Sequence, residues 1–342
     1  MVIGLVEHEK GKLNELSLQM LTLGRRFAEQ LGLPLQAILI GVDARPLADH
    51  LKGYNGCGVA SVYLVQHERL TDYAPEAWAH SIVEIVEKAE PQIVMAAGTD
   101  RGNEVMAHVA ARINLPMAAN CTDVQPGDPY GVTRVRWGGS VLEEARLKGT
   151  PRLLTVAPHA FAAEEVSATG DLVINAITPT LTNKDFRVRV AGRVESGEGK
   201  VSLAEAKVVV GGGRGVGSVE GFKPLEELAE LLGAAGGCSR AVTSLGWRPH
   251  ADQIGQTGTR IAPELYIACG VSGATQHIVG CQGAKHILAI NTDPEAPIIA
   301  KADYAIIGDL HEIVPALAAE IKKAKAGRKD GEPWPLRTAR RY

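Results

Sequence analysis

The sequence predicts an α/β protein of two domains, each a parallel-sheet β/α unit, the C-terminal one doubly wound. Three observations carry that prediction. Short β-branched runs alternate with apolar residues at three- and four-residue spacing, the pattern of strands covered by amphipathic helices. A chain of 342 residues is long enough to build two cores. The alternation pauses at the polar, glycine-containing stretch Glu195–Lys200 and resumes beyond it with a changed composition.

Val2–Val6 is the first predicted strand. Leu16, Met20, Leu23, Phe27 and Leu31 then share one helical face, and Gly32 and Pro34 end that helix. Leu35–Ile40, Val59–Val65 and Ile93–Ala97 follow as strands, with a helix presenting Trp78, Ile82, Ile85 and Val86 between the last two. Beyond residue 120 the helical pattern fades. Arg134–Trp137 and Leu153–Val156 are predicted strands, and Phe186–Val194 a more exposed one. In the second domain Lys207–Val210, Leu265–Cys269, His286–Ile290 and Tyr304–Ile307 are strands. Helices are expected over Leu225–Leu232, after Gly273, and through Ile313, Leu317 and Ile321. The expected division is residues 1–196, a compact domain over 205–325, and a basic extension over 326–342 containing Pro333, Trp334 and Pro335.

Composition excludes several function classes. Thirty-six Lys and Arg against 39 Asp and Glu give a net charge of −3, so no nucleic-acid partner is expected. The five cysteines, at 57, 121, 238, 269 and 281, show no CxxC spacing. They make neither a disulfide framework nor a metal site and read as small buried hydrophobes of a reducing compartment. The first residues lack a basic n-region, and Gly4 and Glu7 interrupt the apolar run, so no secretory signal is expected. The longest uncharged stretch, Leu265–Ala284, contains Gln276, His277, Gln282 and four glycines, which argues against membrane insertion. The expected location is cytoplasmic, or the mitochondrial matrix for a processed eukaryotic chain.

Chemistry concentrates in the second domain, where residues 205–290 hold 16 of the 38 glycines. In open α/β sheets ligands sit beyond the carboxyl ends of the strands, where loops of this kind gather. Gly211–Gly217 follows a strand but fits neither GxGxxG nor a Walker pattern. It reads either as a plain turn or as a flexible loop of backbone amides with one guanidinium, Arg214, suited to an anion. Cys238–Val242 reads as a strand-like run with Arg240 at its edge. Gln253–Gly258 combines two amides, a hydroxyl and two glycines that allow close approach to a planar ligand. Leu265–His277 runs from a buried strand through small residues into a helix, with Ser272 as N-cap and the following amides facing a phosphate. Asn291 follows the next strand. No acid/base dyad, activated nucleophile or metal cluster stands out, so no catalytic residue is expected.

Taken in order, Leu265–Cys269, Ser272-Gly273, Gln276-His277, Ala289–Asn291 and Asp293–Pro297 resemble the signature of the electron transfer flavoprotein alpha subunit. The resemblance extends back through Gln253–Gly258, Ser239-Arg240 and Gly211–Gly217, and forward to Ala302–Tyr304 and Asp309. It is looser over the first domain, where Trp137-Gly-Gly is unusual. It implies FAD in the second domain, with positions carried over one at a time. Arg214, Ser239 and the backbone of Ser272 and Gly273 correspond to phosphate contacts. Arg240 corresponds to the arginine over the flavin ring, and Thr257 to the hydroxyl near its N5. Ile254, Gly255 and Gln256 share that flavin-edge loop. Ala274 and Thr275 lead to Gln276 and His277 on the flavin and ribityl side, with His277 near N1 and the C2 carbonyl. Asn291, Asp309 and Leu310 match the adenosine end.

The resemblance further implies an FAD-containing electron carrier that works as a heterodimer with a beta subunit. Dehydrogenases would donate electrons and a quinone-linked or other acceptor would take them, by simple carriage or by bifurcation with a second flavin. On the same resemblance, His277 and Arg240 would favour the negative charge that reduction puts on the flavin, raising the potential of the first step. The first domain, with no complete cofactor motif, is the expected docking scaffold for beta. A nucleotide-binding regulatory protein and a dinucleotide-dependent dehydrogenase are the alternatives, the second weakened by the missing GxGxxG.

Overall fold

The computed structural model describes residues 1–9, 11–53, 58–164, 172–192 and 202–326. They fall into two compact units, within Met1–Ser196 and Gly197–Tyr342. The Glu195–Lys200 stretch, Cys57 and the extension beyond Ala326 lie outside the described residues.

The first unit is built on a nine-stranded sheet. Its strands are β1 (Val2–Leu5), β2 (Leu35–Ile40), β3 (Val59–Val65), β4 (Ile93–Ala97), β5 (Met117–Gln125), β6 (Tyr130–Arg136), β7 (Val141–Leu147), β8 (Arg152–Val156) and β9 (Val173–Ile177). They run in the order β9-β3-β2-β1-β4-β8-β5-β6-β7. Pairing is parallel from β9 through β5, and β5, β6 and β7 form an antiparallel meander at one edge. Helices α1 (Glu15–Leu31) and α2 (Arg45–Gly53) cover one face; α3 (Pro75–Ala89) and α4 (Asp100–Arg112) cover the other. Alternation along the strands assigns the faces: Val2, Leu35 and Leu39 pack with Met20, Phe27 and Leu47, whereas Ile3, Ile38 and Val94 pack with Trp78, Ile82 and Val109. The sheet reverses strand order between β1 and β4, the place where such folds bind ligands. Here Glu7 fills it: its buried carboxylate accepts from Thr99 Oγ1 at 2.6 Å, at the start of α4, and burial raises its pKa.

The expected strand over Phe186–Val194 is not formed among its described residues. Asn183–Phe186 is instead a single 3-10 turn, closed by a capping box between Thr182 and Asp185. Phe186 serves packing, with the Arg69 guanidinium 3.9 Å over its ring.

The second unit carries β10 (Val208–Gly212), β11 (Ala235–Cys238), β12 (Leu265–Cys269), β13 (His286–Asn291) and β14 (Tyr304–Ile307). The sheet is parallel throughout, in the order β11-β10-β12-β13-β14. Its helices are α5 (Lys223–Leu232), α6 (Arg240–Ser244), α7 (Thr275–Cys281) and α8 (Leu310–Ala326). One face packs Val210, Ile267 and Ile290 against Leu225 and Leu228 of α5 and Val314 of α8. The other packs Val209, Tyr266 and Ala289 against Cys281 of α7 and Ile298. The strand-like reading of Cys238–Val242 is corrected: pairing with β10 ends at Cys238, Ser239 stays extended, and α6 starts at Arg240. Cys121, Cys238, Cys269 and Cys281 are buried free thiols. Among the described residues no helix is long and apolar enough to cross a membrane.

Candidate cofactor-binding site

At the carboxyl edge of the second sheet lies a cleft of about 320 Å³. Its walls are Ser239, Arg240, Ala241 and Ser244 of α6 and its lead-in, Gln253–Thr257, Val271, Ser272 and Ala274 after β12, and Gln276 and His277 of α7. Ten of the residues singled out from sequence meet here: Ser239, Arg240, Ile254, Gly255, Gln256, Thr257, Ser272, Ala274, Gln276 and His277.

Close backbone packing sets this shape. β10 and β12 are neighbours, and the loops that follow them touch: a β-carbon on Gly213 would lie 2.1 Å from the Gly270 carbonyl oxygen. The amides of Gly213 and Gly215 donate to the carbonyls of Cys269 and Gly270, and those of Val216 and Gly217 to Gly213 and Arg214. Of the two readings left open for the glycine loop, these paired amides favour the plain turn over the flexible amide cradle. Its glycines permit contact with the next loop, and the Arg214 side chain is exposed. The 253–258 loop is clipped onto α7 in the same way. Gln256 N donates to the Gln276 carbonyl at 2.7 Å, and Gly255 holds a φ of +145°, which favours glycine.

Polar side chains in the cleft are ordered from behind. Gln253, 2% exposed, lies with Oε1 2.7 Å from Thr243 Oγ1 and Nε2 2.9 Å from Thr257 Oγ1, so the Thr257 hydroxyl is held at the cleft. His277 is buried, and its Nε2 lies 2.8 Å from the hydroxyl of the fully buried Tyr266. Its Nδ1 is buried beside the Ile254 backbone without a well-formed hydrogen bond. Burial pushes the imidazole pKa down to about 4. At neutral pH the ligand-free protein thus carries a neutral His277, and Arg240 supplies the cleft's cation.

Ser272 does not cap α7. The helix starts at Thr275 with Ala274 in the cap position and no side-chain cap bond, because Gly273 turns at a φ of +78° to pass the Ile298 backbone. Gly273 and Thr275 flank the cleft wall without lining it. Asn291 stands behind the wall, its Nδ2 donating to the Val271 carbonyl at 2.8 Å. Asp309 accepts from His311 N at 2.9 Å at the start of α8. The Leu310 side chain packs into the core. Arg214, Asn291, Asp309 and Leu310 share the carboxyl edge but lie outside the cleft. Sequence reading missed Ala241, Ser244 and Val271. The first two follow Arg240 at one and four positions, a helical spacing hidden by the strand reading of that segment. Among the described residues no group of three or more His, Cys, Asp or Glu could hold a metal.

A five-stranded parallel sheet in this order, with a cleft at its carboxyl edge lined by apolar surface and a few placed polar groups, is the architecture of nucleotide-cofactor-binding α/β units. Comparison with known proteins makes the assignment specific. Residues 2–182 match the electron transfer flavoprotein domain, and residues 202–282 the electron transfer flavoprotein FAD-binding domain. The chain is 37% identical over 326 residues to Protein FixB of Clostridium saccharobutylicum, covering 93% of this chain and 95% of that one. It is 37% identical over 325 residues to the electron transfer flavoprotein subunit alpha of Clostridium acetobutylicum, covering 93% and 96%. The corresponding subunit of Bacillus subtilis is 36% identical over 326 residues, covering 94% and 97%. The chain belongs to the electron transfer flavoprotein alpha-subunit family. It is an FAD-containing electron carrier rather than an enzyme with a substrate of its own, and its family pairs with a beta subunit.

Proposed function

We propose that the cleft holds the redox-active ring of FAD, and that the cofactor continues along the carboxyl edge past Ser239 and Arg214 toward Asn291, Asp309 and the Leu310 backbone. The convergence of ten sequence-designated residues on one cleft carries this reading. The donor set fits the group. Arg240, Gln256, Thr257 and Gln276 offer N–H and O–H groups to ring carbonyls and nitrogens, Ile254 and Val271 offer apolar surface, and the buried His277 Nδ1 lies at the wall beside the Ile254 backbone without a well-formed hydrogen bond. FAD supplies one- and two-electron transfer when bound. The chain orders the donors, places the Arg240 charge at the rim and fixes the His277 ring through Tyr266.

In this reading residues 205–325 hold the cofactor and residues 1–196 dock the beta subunit. The first sheet supports the division, since Glu7 occupies its ligand position. The carrier takes electrons from dehydrogenases in the cytoplasm and passes them to a quinone-linked or other redox acceptor. Ser244→Trp, which fills the cleft from the exposed face of α6, tests the placement. The purified alpha–beta complex should lose most of its FAD absorbance while the fold is retained by circular dichroism. Full FAD content in that variant would put the flavin elsewhere.

A further inference from the structure

We propose that Tyr266 is a positioning residue that fixes His277 in the Nδ1–H tautomer, so that the ring offers an N–H donor at the cleft wall. The phenol is fully buried on β12, with ring centroids 6.0 Å from the imidazole and planes inclined by 32°. A buried O–H left without an acceptor is costly. Among the described residues its hydrogen-bond partner is His277 Nε2, at 2.8 Å. The phenol must therefore donate and Nε2 must accept, which requires the ring proton on Nδ1. The opposite polarity would strand the phenolic hydrogen in the core.

The surroundings hold the phenol in place. A β-carbon on Gly211 would lie 2.6 Å from Tyr266 Oη, so glycine at that position keeps room for the hydroxyl. Burial raises the Tyr266 pKa well above its ordinary value, which keeps the phenol protonated as a donor. His277 Nδ1 then faces the cleft-lining loop at Ile254 with no well-formed partner of its own. The consequence for the cofactor rests on the flavin lying in this cleft; the tautomer itself does not.

Two measurements separate those statements. Nitrogen-15 NMR of histidine-labelled alpha–beta complex stripped of flavin, assigned with His277→Gln, reads the tautomer directly. Wild type should show a protonated Nδ1 and an unprotonated Nε2, and Tyr266→Phe should shift the ring toward the Nε2–H form. A wild-type Nε2–H, or a tautomer unchanged in Tyr266→Phe, would overturn the proposal without any variant having to bind flavin. Potentiometric titration at matched FAD content is the second. Tyr266→Phe and His277→Gln should each weaken the reduced form about tenfold, a drop of ~59 mV in the first potential. The double variant should fall no further than the singles, because both act through one N–H. Additive drops would show that Tyr266 acts independently of His277. A correct tautomer with unmoved potentials in both single variants would instead remove the flavin from this wall.

Discussion

Gly280 of α7 rests directly on Gly255 of the cleft loop: a β-carbon at position 280 would lie 2.3 Å from the Gly255 backbone. The contact joins the helix carrying Gln276 and His277 to the loop carrying Gln256 and Thr257, so one pair of glycines sets the width of the cleft. Gly280→Ala should therefore push the loop outward. Overpacking of this kind costs about 1–3 kcal/mol. Because the displaced loop lines the cleft, FAD affinity should fall by roughly 5- to 150-fold. Equilibrium dialysis of flavin against the alpha–beta complex checks this, and unchanged affinity would mean the loop yields without disturbing the site.

Arg240 opens α6 at the rim of the cleft, with its side chain exposed. A hydrogen bond to a charged group is worth roughly 1.5–3 kcal/mol. For one electron, with ~59 mV per tenfold change in equilibrium, this corresponds to about 65–130 mV. Arg240→Ala should lower the first reduction potential by that order. Arg240→Lys should fall between, keeping the charge but losing the planar face. Titration at matched FAD content decides, and an unmoved potential in the alanine variant would make Arg240 an ordinary surface residue.

Asp185 ties together three segments of the first unit. Its carboxylate accepts from Thr182 N and Oγ1 at 2.9 and 2.8 Å and lies 2.9 Å from His80 Nδ1 and 3.1 Å from Arg112 Nη2. Burial alone would raise its pKa, but the contacts from Thr182 and His80 bring it down to about 2. Asp185→Ala removes a cap and the carboxylate that Arg112 and His80 share, and should cost about 3 kcal/mol in urea unfolding. Asp185→Asn, which keeps an acceptor for Thr182, should cost less. Equal losses in the two variants would mean that the acceptor kept for Thr182 contributes nothing and the charge carries the whole effect.

Much of this fold is legible because β-branched runs bounded by glycine or proline have few other uses; β2, β3, β12 and β14 match their sequence-read limits. The misses have physical causes. Strand β11 is Ala-Gly-Gly-Cys, with almost no side chain to signal a pleat. Helix α4 contains Gly102, which helix propensity disfavours but packing demands, since a β-carbon there would lie 2.1 Å from the Ala97 carbonyl oxygen. Helix α6 spans five residues, too short to show a period. At the site, polar residues beside glycines gave the loops away, having no place in a core. The state of His277 was not legible, because it depends on Tyr266, eleven residues away on a strand, and on burial that tertiary packing alone produces.

That burial has a consequence in acid. Folding lowers the His277 pKa from 6.5 to about 4. Between those values the unfolded chain binds a proton that the folded chain refuses, so stability rises with pH across the window and is lost as acid is added. About 2.5 pKa units correspond to about 3 kcal/mol at ~1.36 kcal/mol per unit. His277→Gln, which cannot titrate, should lack this component. Urea unfolding of flavin-free wild type and variant at pH 7, 5.5 and 4 supplies the comparison. Wild type should lose about 3 kcal/mol more than the variant on going from pH 7 to pH 4, with most of the difference arising below pH 6.5. A gap between the two proteins that does not change with pH would mean that His277 gains its proton as readily in the folded chain as in the unfolded one.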